Sequence, residues 1–300
     1  MAASSLPASK RSQSVERSWS VERSWSAPLR SAWLRGVLVA PLALLTAGCP
    51  DQGPATADDA KRSMSEYDVA RDLWLSRNQP RAALEHGLRA VELDDENAEA
   101  AHLVSLIYLQ FCAAADAGVG DPGDCRLPEA ERFARHAIVA DPDYRDAKNT
   151  LGVVLVHRKK YGEAVKVLKP LTEDILYQSP EKAWGNLGWA YLEWGKLSPA
   201  IDALQRSIAA QPGFCVGHYR LGLALEKKRD LTAAEQAYSE SLATDHEACQ
   251  GLQEAWLGRA RVRAGLGRAA DARADLERCL KLDRGTRAGK DCATLKLNMD

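Results

Sequence analysis

Residues 181–212 read EKAWGNLGWAYLEWGKLSPAIDALQRSIAAQP, and this pattern constrains the whole chain because close variants of it recur along it. Trp184, Leu187, Gly188, Tyr191, Gly195, Ala200, Leu204 and Pro212 stand at positions 4, 7, 8, 11, 15, 20, 24 and 32 of the unit. Trp184, Leu187 and Tyr191 lie three and then four residues apart, which puts them on one face of a helix. Gly188 and Ala200 carry no bulk, so two helix backbones can approach closely there. Gly195 marks a turn between two helices and Pro212 ends the second. Such a hairpin cannot bury its apolar stripe alone and needs copies of itself on either side.

Six units fit one template of about 34 residues. They span 64–97, 98–144, 145–180, 181–214, 215–248 and 253–286, and 287–300 follows as a capping segment. The second unit carries an insertion over 112–125, and the third runs on through Tyr177-Gln178-Ser179-Pro180. The sixth has Arg259 where an apolar residue is expected. The template resembles the tetratricopeptide (TPR) repeat. That resemblance implies an all-α solenoid of about six TPR repeats in a right-handed superhelix, each unit touching its neighbours.

Composition agrees: 46% apolar and 27% charged residues, with only three Phe, suit helices packed through small side chains. The formal net charge is −1, and without residues 1–48 it is about −5, so there is no basic patch for nucleic acid. No nucleophile motif, HExxH or phosphate loop occurs, and the six His are scattered. The chain is therefore read as a non-enzyme with no cofactor, no metal and no small-molecule substrate. The runs Arg158-Lys159-Lys160 and Lys227-Lys228-Arg229 fall at helix ends and are read as solvated.

Residues 1–28 are Ser-rich, repeat VERSWS, and have the composition of disorder. A later translation start is the alternative. Residues 29–48 hold Arg30 and Arg35 ahead of a short apolar run, too short to span a membrane and typical of an export signal. The run ends at Thr46-Ala47-Gly48-Cys49, which resembles a bacterial lipobox, with Thr46 where Leu is usual. The resemblance implies cleavage after Gly48 and acylation of Cys49. An ordinary signal peptide is the alternative. Residues 49–63 then form a flexible tether.

Six further cysteines remain: Cys112, Cys125, Cys215, Cys249, Cys279 and Cys292. In an exported chain an even number suggests disulfides, although six cysteines permit 15 pairings. Proximity offers Cys112 with Cys125 around the insertion, Cys215 with Cys249 one repeat apart, and Cys279 with Cys292. Buried free thiols are the alternative. No CxxC and no ligand-spaced His point to a metal.

TPR arrays bind partners on the concave face, lined by the first helix of each unit. The positions that usually point there hold Asn149, Val153, Val156, His157, Trp189, Leu192, Glu193, Tyr219, Leu223 and Glu226. Of these, Asn149, Val153, Val156, Trp189, Leu192, Tyr219 and Leu223 are the partner-binding candidates. The alternative is that neighbouring helices cover them as core. The set lacks the Lys/Arg-plus-Asn combination of a carboxylate clamp, so it suits an apolar or extended segment better than an acidic C-terminus. Trp74 and Trp184 fall at core positions.

The run from Asn149, with its stretched repeat end Leu176-Tyr177-Gln178-Ser179-Pro180 before Asn186-Leu187-Gly188, resembles the type IV pilus biogenesis TPR lipoproteins, the PilF/PilW pilotin family. Pro212-Gly213-Phe214-Cys215 and Gly289-Lys290-Asp291-Cys292 resemble its Tgl-like branch. The resemblance covers about 64–295, while the insertion and the N-terminal extension depart from it. It implies a lipid-anchored outer-membrane protein facing the periplasm. Such a protein binds the secretin PilQ, or another envelope protein, and promotes secretin assembly. A general periplasmic scaffold for cell-wall enzymes or another secretion system is the competing reading.

Overall fold

A computed structural model of the chain describes residues 55–243 and 247–299. The N-terminal extension, the export segment, Cys49 and the start of the expected tether lie outside the described residues. From Ala57 onward the expected tether is helix. Helix α1 runs over Ala57–Leu75, and Thr56 caps it in a reciprocal capping box with Asp59. Thr-x-x-Asp is a helix-start signal that the tether reading passed over. Ser63 is wholly buried, donates to the carbonyl of Ala90 at 2.7 Å and accepts from Asn97 at 2.8 Å. The first two turns of α1 are thereby docked.

Among the described residues the elements are helical throughout, in antiparallel pairs: α1 with α2 (Pro80–Leu93), α3 (Ala98–Ala117) with α4 (Leu127–Ala140), and α5 (Arg145–His157) with α6 (Tyr161–Glu173). Then come α7 (Pro180–Glu193) with α8 (Leu197–Ala210), and α9 (Cys215–Lys227) with α10 (Leu231–Ala243). After the four-residue α11 (Glu247–Gln250), α12 (Gln253–Gly265) pairs with α13 (Ala269–Leu282), and α14 (Arg287–Leu297) closes the series. The second helix of each pair packs on the first of the next, giving an all-α solenoid.

Close approach within a pair is made at the small positions. A β-carbon on Gly188 would lie 2.6 Å from Cγ of Leu204, and one on Gly152 would lie 2.4 Å from Cγ of Leu168. Ala164, Ala200, Ala234 and Ala272 on the facing helices are completely buried. The turn between paired helices recurs with the same backbone. Its position 15 is left-handed in five units: Asn78 at φ 51°, Lys159 at 59°, Gly195 at 78°, Arg229 at 70° and Gly267 at 76°. The loop to the next pair repeats as well. Asp94, Asp141, Asp174 and Asp283 each accept the backbone N–H two residues on, an Asx turn that stops the helix.

Arg259 fits the sixth unit because Asp275, 3% exposed on α13, accepts from its Nε at 3.0 Å and its Nη2 at 2.7 Å. Arg263 reaches the same carboxylate at 2.8 Å. The basic run of the third unit is likewise more than solvated charge. Arg158 and Lys160 converge with Arg135 on the buried Glu131. Burial alone would raise the carboxyl of Glu131, but hydrogen bonds from Arg135 and Lys160 and the charge of Arg158 hold it below its ordinary value.

The insertion lengthens α3 to 20 residues and returns through a 3-10 turn at Pro122–Asp124. By length and composition α3 could cross a membrane, but here it is packed among α1, α2, α4 and α5. Cys112 is bonded to Cys125, Cys215 to Cys249, and Cys279 to Cys292. The cap α14 packs on α12 and α13, and its start meets the end of α3. A β-carbon on Gly118 would stand 3.5 Å from the backbone nitrogen of Arg287.

Candidate functional site

First helices of successive units touch one another: α1 with α3, α3 with α5, α5 with α7, α7 with α9, α9 with α12 and α12 with α14. The second helices make no comparable series among the described residues. The first helices are thus the inner, crowded side of the curve, and their exposed residues form the concave face.

Polar side chains link neighbouring first helices along this face. His102 on α3 bonds to the Tyr144 hydroxyl through Nδ1 and the Thr150 hydroxyl through Nε2, both at 2.9 Å. Further on, Asn186 Nδ2 donates to Asn149 Oδ1 at 3.0 Å, and Arg220 Nη1 donates to Asn186 Oδ1 at 2.9 Å and to the Gly185 carbonyl at 3.1 Å. In the last units Arg261 grips Glu226 through Nε at 2.9 Å and Nη2 at 3.0 Å, while the Tyr238 hydroxyl donates to Glu226 at 2.7 Å.

Trp189 sits at the middle of this run. The ring of His157 meets it edge-on with centroids 5.0 Å apart, and the Arg220 guanidinium lies 4.6 Å from its ring centroid. Asp116, on the lengthened part of α3, approaches His157 at 3.6 Å. Burial lowers the His157 imidazole below its ordinary value despite the Asp116 charge. Burial pushes the Arg220 guanidinium down to about 10, and the Tyr219 phenol up to about 12.

Of the residues expected to face a partner, Asn149, Val153, Trp189, Tyr219 and Leu223 are partly exposed. Val156 and Leu192 are not available: they are 3% and 1% exposed and belong to the core. Both occupy position 12, which faces the next first helix. Leu192 packs there with Ala224 of α9 as well as with Ala200 and Leu204 of α8. Glu226, at position 12 of the fifth unit, faces the same junction and is held by Arg261. The expectation that the face lacks an Arg-plus-Asn set is also overturned, because Arg220, Asn186 and Asn149 form one. Arg220 and Asn186 stand at position 6, between the positions usually assigned to the groove. Only the length of the arginine carries its charge over Trp189. The six bonded cysteines lie apart from this run, and Cys49 lies outside the described residues.

The fold and this face define a class: the chain is a tetratricopeptide-repeat protein. The tetratricopeptide-repeat family model matches residues 181–214 and 253–286. In sequence the chain is homologous to the type IV pilus assembly protein PilF of Pseudomonas aeruginosa, 24% identical over 212 residues, covering 68% of this chain and 78% of PilF. It is also similar to the chloroplast TPR-domain protein PYG7 of Arabidopsis thaliana, 33% identical over 97 residues, but that match spans only 32% of PYG7. Among solved structures it shares the fold of P. aeruginosa PilF (TM-score 0.58, 18% identity, 80% of this chain and all of that one). It also shares the fold of PilW, described as a widely conserved type IV pilus biogenesis factor (TM-score 0.61, 20% identity, 78% of this chain and 98% of that one).

Proposed function

We propose that this chain is a non-enzymatic type IV pilus biogenesis protein, anchored through an acylated Cys49 at the periplasmic face of the outer membrane. It binds the secretin PilQ through its concave face and promotes assembly of the secretin ring. The observation that carries this reading is the alignment with PilF, which runs through most of both chains instead of through one or two repeats. An acyl anchor would hold the solenoid in the plane of its client and raise the effective concentration for assembly.

The test is deletion of the gene followed by a blot for SDS-resistant secretin oligomers. We expect the oligomer band to fall and the monomer band to rise, with the oligomer restored by the intact gene. Unchanged oligomers would remove secretin assembly from consideration. A Cys49→Ala chain should move from the membrane to the soluble fraction, and its retention in the membrane would refute the anchor. A general envelope scaffold is the second reading. It is favoured by the equally good fold match to a Parabacteroides merdae TPR protein at 10% identity (TM-score 0.62), since the array alone does not select a client.

A further inference from the structure

The turns between paired helices lie along one edge of the solenoid and the loops between pairs along the other, because the pairs are antiparallel and stack in series. The two edges differ in charge. The turns of units three to six read Arg158-Lys159-Lys160, Trp194-Gly195-Lys196, Lys228-Arg229-Asp230 and Leu266-Gly267-Arg268. The loops after α2, α4 and α6 read Asp94-Asp95-Glu96, Asp141-Pro142-Asp143 and Asp174-Ile175-Leu176. Helix dipoles do not account for this. They favour cations at the ends of second helices as well, yet the last turns of α2, α4, α6 and α8 hold none.

Ion pairing does not account for it either. Arg158 and Lys160 hold Glu131, and Arg268 holds Glu235 and Asp271. Lys159, Lys166, Lys227, Lys228 and Arg229 are exposed and have no carboxylate partner among the described residues. Lys159 and Arg229 also stand at φ 59° and 70°, a backbone position that glycine fills in the fourth and sixth units. A cation kept twice where the backbone disfavours a side chain points to a use other than stability.

An aromatic ring lies among these charges. Trp194 is 42% exposed, and Lys196 Nζ lies 3.4 Å from its ring centroid. The far side of the indole would be 3.7 Å from a β-carbon on Gly162, so the turns of units three and four are neighbours. Trp194 lines one shallow hollow with Lys159, Lys160, Tyr161 and Lys166. Leu266 is exposed at the same position of the sixth unit. A tryptophan among lysines suits the boundary between water and lipid headgroups, where the indole sits level with the headgroups and the ammonium groups meet phosphate.

We infer that the turn edge of units three to five, centred on Trp194 with Lys159, Lys196, Lys228 and Arg229, docks on a membrane surface of anionic phospholipid headgroups. The cations are spread over three turns with no common focus, which suits many phosphates in a plane and not a single acid. Chain length permits the contact. The eight residues from Cys49 to Ala57 reach about 28 Å when extended, and the 19-residue α1 is about 28 Å long. A chain anchored at Cys49 can therefore lay the edge opposite the start of α1 on the leaflet. This rests on the reading of the chain as anchored in an envelope membrane.

The test uses the detergent-purified full chain, reconstituted in vesicles of phosphatidylcholine alone or mixed with phosphatidylglycerol. Lysines are acetylated briefly and read by mass spectrometry. Lys159, Lys196 and Lys228 should react about fivefold more slowly on the anionic vesicles, the worth of one cation near such a surface, and recover in high salt. Lys182 and Lys281, exposed on the loop edge, should react alike on both vesicles. Lys159→Gly with Arg229→Gly removes two cations and relieves the backbone, so this chain should fold at least as well and still lose protection at Lys196 and Lys228. Equal reactivity of the turn lysines on both vesicles, or equal slowing of every lysine, overturns the docking edge. Protection by added peptidoglycan but not by phosphatidylglycerol overturns the lipid assignment and gives the edge to an acidic polymer. The anchor is judged separately by Cys49→Ala: a wild-type chain held firmly in the membrane with reactive turn lysines removes the docking edge and keeps the anchor.

Discussion

Lys159 and Arg229 sit at left-handed turn positions that Gly195 and Gly267 fill elsewhere in the array. A β-carbon at positive φ costs about 1 kcal/mol or more, so Lys159→Gly and Arg229→Gly should each stabilise the protein by about 0.5–1 kcal/mol despite the added freedom of the unfolded chain. Urea melts of the single variants check this, and a lower midpoint would mean that the lysine or arginine makes a contact outweighing its strain. His102 sets a pH dependence. Burial lowers its imidazole from 6.5 to about 4, and both ring nitrogens are bonded to hydroxyls. Its folded-state pKa lies below the unfolded value, so the unfolded chain binds the proton first as pH falls. The neutral ring therefore contributes fully above pH 6.5, and its contribution fades between 6.5 and about 4. The loss is on the order of 3 kcal/mol. Stability measured across that range should be flatter in His102→Gln than in the wild type, and parallel curves would refute the assignment.

At the scale of elements, the lengthened α3 distinguishes the second unit from the others. The Cys112–Cys125 bond closes the insertion at its base, and Arg81 on α2 pairs with Asp124 in the returning turn at 2.6 Å. On the chain-entropy account, a closed loop of this size contributes about 3 kcal/mol. Cys112→Ala with Cys125→Ala should lower the melting midpoint and raise hydrogen exchange chiefly in 113–124, leaving α7 to α13 protected. Exchange spreading evenly through all units would show that the insertion is not a separate cooperative segment. The other two bonds act between elements, one joining α9 to α11 and one joining α13 to α14.

In the molecule as a whole, each unit is stable only because the next covers it. The last cover is α14, which packs over Leu257, Ala260, Leu276 and Cys279. Removing 287–300 in a Cys279→Ala background should expose that cluster. We expect increased binding of an apolar fluorescent dye and unfolding that starts at the C-terminal units. An unchanged dye signal would mean that α14 is dispensable as a cap. Contact between the start of α14 and the end of α3 also joins the last element to the second unit. That contact gives the insertion a structural use that spacing along the chain does not suggest.

The boundary between what the sequence determined and what tertiary structure decided follows from the range of each signal. Gly188, Ala200, Gly195 and their counterparts act within one hairpin, so the helix pairs, their turns and the all-α solenoid were legible from spacing. The paired residues that shape the binding face come from different units. Arg220 meets Trp189 and Asn186 more than thirty residues back, and Leu192 is covered by the following first helix. Whether position 6 reaches into the groove or position 12 is buried depends on the rotation between successive units and on side-chain length, neither of which a repeat template records. The repeating core is therefore set by local periodicity, while the placement of charge on the inner face is set by how neighbouring repeats stack.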